Sequence, residues 1–296
     1  MVKKYLSLVK FSHTIFALPF AFIGFFMGVF EVSVVKALPM AEVMMQKQML
    51  QLFLLVLVCM VTARSAAMAF NRYLDRSFDA KNPRTAIREI PSGVIAASSA
   101  LRFVILNAVI FMAATYFINP ICFYLSPVAL FVILFYSYTK RFTALCHMVL
   151  GLGLSLAPIG AYLAVTGTFA ILPVLFSCVV ICWVSGFDII YAMQDVDFDA
   201  SQNLHSIPTY LGKVNALRLS VLLHMVAAVL VIVAGLQAGY GYFYWEGALV
   251  FIGMLYYQHS IVSPTNLSKV NIAFMTANGI ASVIFGIHVL VALFLQ

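Results

Sequence analysis

Long apolar segments alternate with short polar ones along the whole chain. Nine of these segments reach about 20 residues, the length that a helix needs to cross a bilayer. Their bounds are 12–30, 50–73, 98–118, 121–139, 144–167, 171–194, 214–238, 242–261 and 271–295. Some follow each other across only a few residues, as at Asn119-Pro120, so these connections are tight turns. The pattern predicts an all-α, polytopic membrane protein with about nine transmembrane helices.

The composition supports this interpretation. Hydrophobic residues make up 64% of the chain and charged residues 9%, whereas a soluble domain averages about 25% charged residues. The net charge of +7 does not indicate nucleic-acid binding, because the basic residues lie in short loops beside apolar segments. The five cysteines lie in apolar stretches without the spacing of metal ligands, and such cysteines usually behave as small buried hydrophobes.

The distribution of lysine and arginine predicts the orientation. With a cytoplasmic N-terminus, the cytoplasmic side receives Lys3, Lys4, Lys10, Arg72, Arg76, Lys81, Arg84, Arg88, Arg102, Lys140, Arg141, Lys213, Arg218 and Lys269. The opposite side receives Lys36 and Lys47, and Arg64 lies within a span. This asymmetry follows the positive-inside rule. It places the two long polar connections, 74–97 and 195–213, on the cytoplasmic side.

Acidic residues are concentrated in and near these two connections. The chain has ten acidic residues, and seven of them fall there: Asp75, Asp79, Glu89, Asp188, Asp195, Asp197 and Asp199. Carboxylates in a membrane protein are costly and usually hold a cation or a reacting group. The concentration therefore indicates a functional site at the cytoplasmic face.

Two carboxylate pairs share the same spacing. Asp75 and Asp79 are four residues apart, as are Asp195 and Asp199, which puts each pair on one helix face or on a turn continuing from it. Mg²⁺ prefers oxygen ligands and typically bridges one or two carboxylates to a substrate phosphate. The pairs therefore predict Mg²⁺ as the cofactor, with Asp75, Asp79, Asp195 and Asp199 as its ligands, and a diphosphate as the substrate.

The two acidic motifs also resemble each other. Phe78-Asp79-Ala80 recurs as Phe198-Asp199-Ala200, and each follows an even-numbered span. The recurrence predicts two parallel four-helix halves plus one further helix, with the site where the halves meet. Chance recurrence of a tripeptide is the alternative. We treat residues 1–296 as a single transmembrane domain with its active-site loops at 74–97 and 195–213.

Basic residues near the motifs are candidates for binding the leaving diphosphate, on which negative charge develops. They are Arg64, Arg72, Arg84, Arg88, Lys140 and Arg141. Arg64 precedes Asn71 by two helical turns, and Asp75 or a phosphate is its expected partner. For Arg84, Arg88, Lys140 and Arg141, the alternative is an ordinary positive-inside role.

Asp188 lies about two turns before Asp195 and thus deeper in the membrane. It is a candidate for stabilising positive charge or for positioning a metal or a basic residue; a structural ion pair with Arg64 or Arg141 is the alternative. Tyr136, Tyr138 and Tyr191 neighbour the motifs and are candidates for shielding a carbocation. The histidines show no metal or haem spacing: His13, His147, His205, His224, His259 and His288.

At this point the motifs resemble those of the UbiA superfamily of intramembrane aromatic prenyltransferases. Asn71, Asp75 and Asp79 match the family's first motif, and Asp188 to Asp199 match its second. Between them, residues 84–93 resemble an Arg-Thr-x-x-Arg-x-x-Pro-x-Gly loop, and Tyr136 with Lys140 resembles a Tyr-x-x-x-Lys element. Arg72 is a departure, because many members carry Asp there; it removes one potential metal ligand and adds a donor.

The resemblance implies an enzyme that transfers a prenyl group from a polyprenyl diphosphate to an aromatic acid, in the presence of Mg²⁺. It is closest to the 4-hydroxybenzoate polyprenyltransferases of ubiquinone synthesis and to the related enzyme of the futalosine route to menaquinone. The implied catalytic residues are Asp188, Tyr136 and Tyr191, and Asn71 joins the basic residues in substrate binding. Arg141 or Arg72 is implied to hold the acceptor carboxylate.

Other functions stay open on the sequence. A cation-coupled transporter also carries intramembrane acids and internal repeats, although its site is expected nearer the midplane than these clustered carboxylates. Haem, chlorophyll or lipid prenylation are alternatives within the superfamily. We expect the lipid bilayer as the surroundings, no nucleic acid and no obligate protein partner. The absence of a transit segment at residues 1–4 predicts a bacterial inner membrane.

Overall fold

The structure is a computed structural model that describes residues 2–9 and 16–296. Nine long helices account for most of this part of the chain, and we number them α1 to α9. They are α1 (Leu18–Lys36), α2 (Lys47–Lys81), α3 (Ala97–Ile118), α4 (Pro120–Thr139), α5 (Cys146–Thr166), α6 (Ile171–Ala192), α7 (Ile207–Ala238), α8 (Tyr242–Ile261) and α9 (Asn278–Phe294). Residues 12–15 of the first predicted span, together with Met1, Lys10 and His13, lie outside the described residues.

The all-α prediction is confirmed. No strand forms within the described residues, where an isolated bridge joins Ser263 and Asn266. Eight of the long helices are apolar and long enough to cross a membrane. Helix α8 is not among them, and its polar Glu246, Gln258 and His259 lower its hydropathy. The count of nine crossings, the internal repeat and the cytoplasmic N-terminus therefore stay predictions.

Short helices complete the described chain. Val2–Leu8 and Met40–Met45 precede α1 and α2, respectively. The turn Met193–Asp195 and the helix Val196–Ser201 follow α6, and a π-helical turn, Ile272–Ala277, leads into α9. The polar connections are thus shorter than predicted. Helix α2 continues to Lys81, so the first acidic motif lies on its last turns and not in a loop.

The second predicted connection, 195–213, is also shorter in the structure, because α7 begins at Ile207. Ser206 caps this helix: its hydroxyl accepts a hydrogen bond from the backbone N–H of Thr209, and the Thr209 hydroxyl accepts one from the backbone N–H of Ser206. The helix is interrupted at Gly212, where φ is 73°, a value that glycine adopts without a steric penalty. The predicted span began at residue 214, just after this break.

Aromatic side chains form the centre of the core. Phe20 of α1, Trp183 of α6, Phe251 of α8 and Phe285 of α9 are fully buried. The rings of Phe20 and Trp183 lie 5.3 Å apart, and those of Phe251 and Phe285 lie 5.1 Å apart. These contacts join the first helix to the last ones, while α6 packs along both α5 and α7. The ends of α2, α4 and α6 are thereby held close together.

Close helix contact also positions α5. A Cβ atom on Gly24 of α1 would lie 1.9 Å from the carbonyl oxygen of Pro158, so only glycine permits this approach. Helix α5 in turn packs against α4 and α6. Its first turn carries His147, which lies beside the polar layer described next.

Candidate active site

The first acidic motif lies at the end of α2. Asn71, Asp75 and Asp79 are one turn apart on this helix, and Asp75 and Asp79 are buried. The side-chain amide of Asn71 donates to Asp75 Oδ2 at 3.1 Å, while the hydroxyl of Thr85 donates to the backbone carbonyl of Asp79 at 3.1 Å. These bonds fix the carboxylates and the loop that follows them.

The second motif spans three helical segments. Asp188 lies near the end of α6, Asp195 ends the turn Met193–Asp195, and Asp199 lies in the short helix Val196–Ser201. Asp199 is buried, whereas Asp197 is exposed. The exposure of Asp197 agrees with its omission from the predicted metal ligands.

Each of the four predicted metal-binding aspartates contacts a different basic residue. The contacts are Asp75 with Arg141 at 3.0 Å, Asp79 with Arg88 at 2.7 Å, Asp199 with Lys140 at 3.7 Å, and Asp195 with Arg84. Every basic residue in these pairs was predicted as substrate-binding. The structure therefore brings eight of the predicted site residues into one layer whose charges balance.

The layer joins the two motifs. Arg84, from the loop after the first motif, donates through Nε to Asp195 at 3.1 Å and through Nη1 to the hydroxyl of Tyr191 at 3.0 Å. Burial lowers the pKa of Arg84, but its hydrogen bonds to Asp195 and the charge of that carboxylate outweigh this and raise it overall. Lys81 donates to Gln202 at 3.2 Å, which ties the same two segments a second time.

The donor set suits a hard cation. The described residues contain no group of three acidic, histidine or cysteine side chains that forms a metal site as they stand. Asp79 Oδ2 is nevertheless buried without a hydrogen-bond partner, which leaves a carboxylate oxygen free to coordinate. Carboxylate oxygens are the ligands that Mg²⁺ prefers.

Asp188 has a different partner from the ones considered in the sequence. Its Oδ2 lies 2.6 Å from Nδ1 of His147, not beside Arg64 or Arg141. His147 Nε2 accepts a hydrogen bond from the backbone N–H of Ile207 at 3.3 Å, so its Nδ1 carries the proton and donates to Asp188. The pair links α5, α6 and the start of α7.

Sequence reasoning missed His147, because it sought histidines spaced as metal ligands. The sequence did contain a signal. His147 lies near the start of the predicted span 144–167, and Asp188 lies near the end of the next one, 171–194. Because a tight turn makes these two spans antiparallel, both polar residues are expected at the same face of the membrane. A buried carboxylate in a membrane requires a partner, and His147 meets that requirement.

The expected pairing of Arg64 with Asp75 is wrong. Asp75 contacts Arg141, which also donates to the backbone carbonyls of Leu74 and Ser137, each at 3.1 Å. Arg64 and Arg72 instead form no ion pair within the described part of the chain, and the Nε atom of each is buried without an acceptor. Arg64 lines the cavity described next, whereas Arg72 lies within the electrostatic influence of the Asp79 and Glu89 carboxylates.

A cavity of 450 Å³ extends from this region into the membrane-spanning part. Helices α2 to α5 provide most of its walls. Arg64 and Tyr136 line it on the side of the polar layer, and apolar residues such as Phe169, Leu163 and Ile118 line it on the opposite side. Its length and lining suit a hydrocarbon chain whose head lies near Arg64.

The two predicted catalytic tyrosines occupy different places. Tyr136 lines the cavity, and the charges of Asp188, Asp75 and Arg72 act on its hydroxyl. Tyr191 lies one turn after Asp188 on the same helix, where it accepts a hydrogen bond from Arg84 and packs against Phe274 with ring centroids 4.3 Å apart. Tyr136 is therefore the closer of the two to the cavity.

Comparison with known proteins gives consistent matches. The model of the UbiA prenyltransferase family matches residues 17–280. The chain is 28% identical over 236 residues to a 4-hydroxybenzoate octaprenyltransferase of Shewanella pealeana, covering 80% of this chain and 82% of that protein. A 4-hydroxybenzoate octaprenyltransferase of Tolumonas auensis is 30% identical over 222 residues, covering 75% and 77%.

Solved structures share the fold. A UbiA homologue from Aeropyrum pernix superposes with a TM-score of 0.80 at 28% identity, covering 94% of this chain and 97% of that one. A UbiA homologue from Archaeoglobus fulgidus, solved bound to GPP and Mg²⁺, gives a TM-score of 0.76 at 20% identity over 98% and 99% of the two chains. The all-α architecture is therefore the one seen in these membrane proteins.

Proposed function

The chain belongs to the UbiA prenyltransferase family, and from this premise we propose that it transfers a polyprenyl group to an aromatic acid resembling 4-hydroxybenzoate. The observation that carries the proposal is an apolar cavity whose lining includes Arg64 and Tyr136, on the same helices α2 and α4 whose ends lead to the charged layer. A polyprenyl diphosphate has the same division, with a long hydrocarbon tail and a small, strongly charged head. The tail would lie between α2 and α5, and the head would reach the aspartates.

The charges of the layer support a role for Mg²⁺. The four aspartates and their four basic partners balance one another, so that within the layer no positive charge is left over for a diphosphate, and Arg64 alone would not neutralise it. Bringing that anion into a neutral, half-buried layer is costly unless further cations accompany it. Asp75, Asp79, Asp195 and Asp199 would hold the metal, and when bound it would neutralise the charge that develops on the leaving oxygens.

The basic residues would then also bind the diphosphate. Arg84, Arg88 and Lys140 lie against the aspartates and can turn toward the phosphate oxygens once the carboxylates coordinate metal. Charge-assisted hydrogen bonds of this kind are strong and favour the departing diphosphate over the intact ester. Arg64, at the polar end of the cavity, adds a cation near the bond that breaks.

The reaction proceeds in three bond changes. The bond between prenyl C1 and the diphosphate oxygen breaks, and the electron pair leaves with the diphosphate. The ring carbon ortho to the phenol of the acceptor forms a bond to C1, and the proton on that carbon is then lost. We assign to Asp188 the stabilisation of the allylic cation and the acceptance of this proton, because His147 orients its carboxylate through a hydrogen bond.

The aromatic residues protect the intermediate. Tyr136 lines the cavity, and its ring would stabilise a cation at C1, because aromatic faces attract cations. The apolar walls exclude water, which would otherwise capture the cation as an alcohol. Tyr191 acts indirectly, by orienting Arg84 through its hydroxyl.

The curated relatives are named for 4-hydroxybenzoate octaprenyl transfer, which supports a place in ubiquinone or menaquinone synthesis. We propose that the protein acts in a bacterial inner membrane with the charged layer on the cytoplasmic side. Soluble aromatic acids would then reach the acceptor site from the cytoplasm, and the polyprenyl diphosphate would enter from the bilayer.

The test uses purified protein in liposomes with geranyl diphosphate and 4-hydroxybenzoate, with Mg²⁺ or with EDTA, and mass spectrometry of the product. We expect product with Mg²⁺ and none with EDTA. Asp75→Asn and Asp195→Asn should lose activity by at least about 100-fold, since loss of a charged group's interactions costs several kcal/mol. Asp197→Asn, an exposed neighbour in the second motif, is the matched control and should retain activity.

Release of diphosphate without prenylated product would support ionisation of the prenyl diphosphate and contradict 4-hydroxybenzoate as the acceptor. Neither product nor diphosphate release from folded protein, with longer prenyl diphosphates also tried, would contradict prenyl transfer. Equal losses in Asp195→Asn and Asp197→Asn would contradict the assignment of the metal ligands.

A further inference from the structure

A second cavity lies at the end of the helices opposite to the charged layer. It has a volume of 340 Å³, and its lining includes Glu31 of α1, Tyr162 of α5 and Tyr240, which follows α7. Tyr162 lies near the end of α5 and His147 in its first turn, so the two are about 22 Å apart along the helix axis, at about 1.5 Å per residue. The cavity is therefore separate from the candidate active site, and the proposed reaction does not use it.

Glu31 has no basic partner in this cavity. The first predicted span ended at residue 30, but α1 continues to Lys36, so the carboxylate lies on a helix that is apolar enough to cross a membrane. The hydroxyl of Tyr162 donates a hydrogen bond to Glu31 Oε2, and no ion pair within the described part of the chain includes Glu31. Lys36 donates instead to the side-chain oxygen of Gln46 at 3.2 Å. A carboxylate on a membrane helix usually binds a cation, and a neutral hydroxyl does not meet that need.

Tyr240 adds a hydroxyl that makes no hydrogen bond within the protein. The residue is 5% exposed, and its hydroxyl oxygen is buried without a partner. Its ring stacks on that of Tyr244, with centroids 4.8 Å apart, which holds Tyr240 at the wall of the cavity. A buried tyrosine hydroxyl usually has a partner, and leaving it unpaired is costly. Since Tyr240 and the acceptor-only carboxylate of Glu31 line the same cavity, they point to a ligand that carries N–H donors.

The helix ends around the cavity favour a positive charge. Among the helices that line it, α1, α5, α7 and α9 end at this side, and α6 begins there. The last carbonyl groups of a helix carry a partial negative charge, which stabilises cations. The rings of Phe30 and Tyr162 belong to the same lining, and aromatic faces attract organic cations. A cavity of this volume with aromatic and aliphatic walls suits an organic ammonium group better than a metal ion.

We propose that this cavity binds the primary ammonium group of an aminophospholipid from the leaflet opposite to the charged layer. An ammonium group has three N–H donors and no acceptor, which matches the Glu31 carboxylate and the Tyr240 hydroxyl. Val34 and Val35 line the cavity and are exposed, so the acyl chains have an apolar surface beside the head group. The bound lipid ties together the ends of α1, α5 and α7.

The test measures lipid binding to the full chain in detergent by native mass spectrometry. The probes are phosphatidylethanolamine, phosphatidylcholine and phosphatidylglycerol with the same acyl chains. Wild type should bind the first phosphatidylethanolamine at least about tenfold more tightly than either of the others. Glu31→Gln, which keeps an acceptor for Tyr162, should weaken binding of phosphatidylethanolamine by about 10- to 100-fold, the effect of losing a hydrogen bond between charged groups. Binding of phosphatidylglycerol should stay unchanged.

Two further variants sharpen the result. Glu42 is an exposed carboxylate on the neighbouring short helix Met40–Met45 and does not line the cavity, so Glu42→Gln should bind all three lipids as wild type does. Tyr240→Phe removes the hydroxyl alone and should weaken binding of phosphatidylethanolamine by about 2- to 10-fold, the effect of losing a neutral hydrogen bond. If Glu31→Gln does not fold, as judged by size-exclusion chromatography, Tyr240→Phe carries the test.

Equal affinity of wild type for phosphatidylethanolamine and phosphatidylcholine would overturn the proposal, as would a preference that persists in both Glu31→Gln and Tyr240→Phe. A competition experiment separates a lipid from a soluble amine. Glycerophosphoethanolamine, the same head group without acyl chains, should compete only weakly, because it lacks the apolar contacts of the lipid. If it competes as well as the intact lipid, the cavity binds a soluble amine and the assignment to a lipid is wrong.

Discussion

The hydrogen bond from His147 to Asp188 offers the most direct test of the proposed chemistry. His147 is buried and its two ring nitrogens have separate partners: Nδ1 donates to Asp188 at 2.6 Å, and Nε2 accepts from the backbone N–H of Ile207 at 3.3 Å. Asparagine places an amide near the position of Nδ1, whereas glutamine reaches the position of Nε2. The two substitutions therefore separate the two bonds.

The geometry sets the expected magnitudes. In His147→Gln the bond to Asp188 is lost while an acceptor for Ile207 is retained, and a hydrogen bond to a charged group contributes about 1.5–3 kcal/mol. If the whole of that energy holds Asp188 in its reactive orientation, kcat falls by about 10- to 100-fold, at about 1.4 kcal/mol for each factor of ten. His147→Asn keeps the donor to Asp188 and should stay within about threefold of wild type, by the same scale.

The assay is prenyl transfer to 4-hydroxybenzoate at saturating Mg²⁺, with kcat and the KM for geranyl diphosphate determined separately. A positioning role lowers kcat and leaves that KM within about twofold. Asp188→Asn alone and combined with His147→Gln completes a double-mutant cycle, in which the two losses should not add. Equal losses of kcat in the asparagine and glutamine variants, or additive losses in the double mutant, would refute the reasoning.

Two further predictions concern the cavity and the core. Gly160 lines the cavity, and a Cβ atom added there would meet no atom within 4 Å. Gly160→Phe should therefore fill part of the cavity and shorten the longest prenyl chain that the enzyme accepts, while geranyl transfer continues. The measurement is the distribution of products formed from a mixture of prenyl diphosphates of different lengths. Gly253→Phe, another unobstructed helical glycine outside the cavity, is its control, and an unchanged chain-length profile in Gly160→Phe would reject the assigned tail path. Asn278→Ala removes the side-chain oxygen that accepts from Trp183 and Gln258, each at 2.8 Å; leaving two buried donors unpaired costs about 1–3 kcal/mol each, so the thermal midpoint in detergent should fall by several degrees. A midpoint equal to that of wild type would contradict this.

Much of the site could be predicted from the sequence because membranes penalise charge. An apolar chain leaves few positions for carboxylates, so Asp75, Asp79, Asp195 and Asp199 were conspicuous without any structure. Their spacing and that of Asn71 then followed from helix periodicity. In the structure Arg84 and Lys81 link the two motifs, and the role of the aspartates as metal ligands stays a prediction.

The partners of these residues could not be predicted. Asp188 contacts His147, and Asp75 contacts Arg141 and not Arg64. Several basic residues lay within reach of each carboxylate along the sequence, and the choice among them depends on how far each helix is rotated about its axis. The length of α2 was also underestimated, because its last turns are polar and resemble a loop.

The sequence by itself determined the class of the protein, its apolar helices and the two acidic motifs, since these depend on local composition and on the cost of charge in lipid. Tertiary structure alone decided that Asp75, Asp79, Asp195 and Asp199 each have a separate basic partner, that Asp188 contacts His147, and that Tyr136 lines the cavity. These features arise from contacts between segments distant in the chain. Helix packing determines such contacts, and a local pattern in the sequence does not predict them.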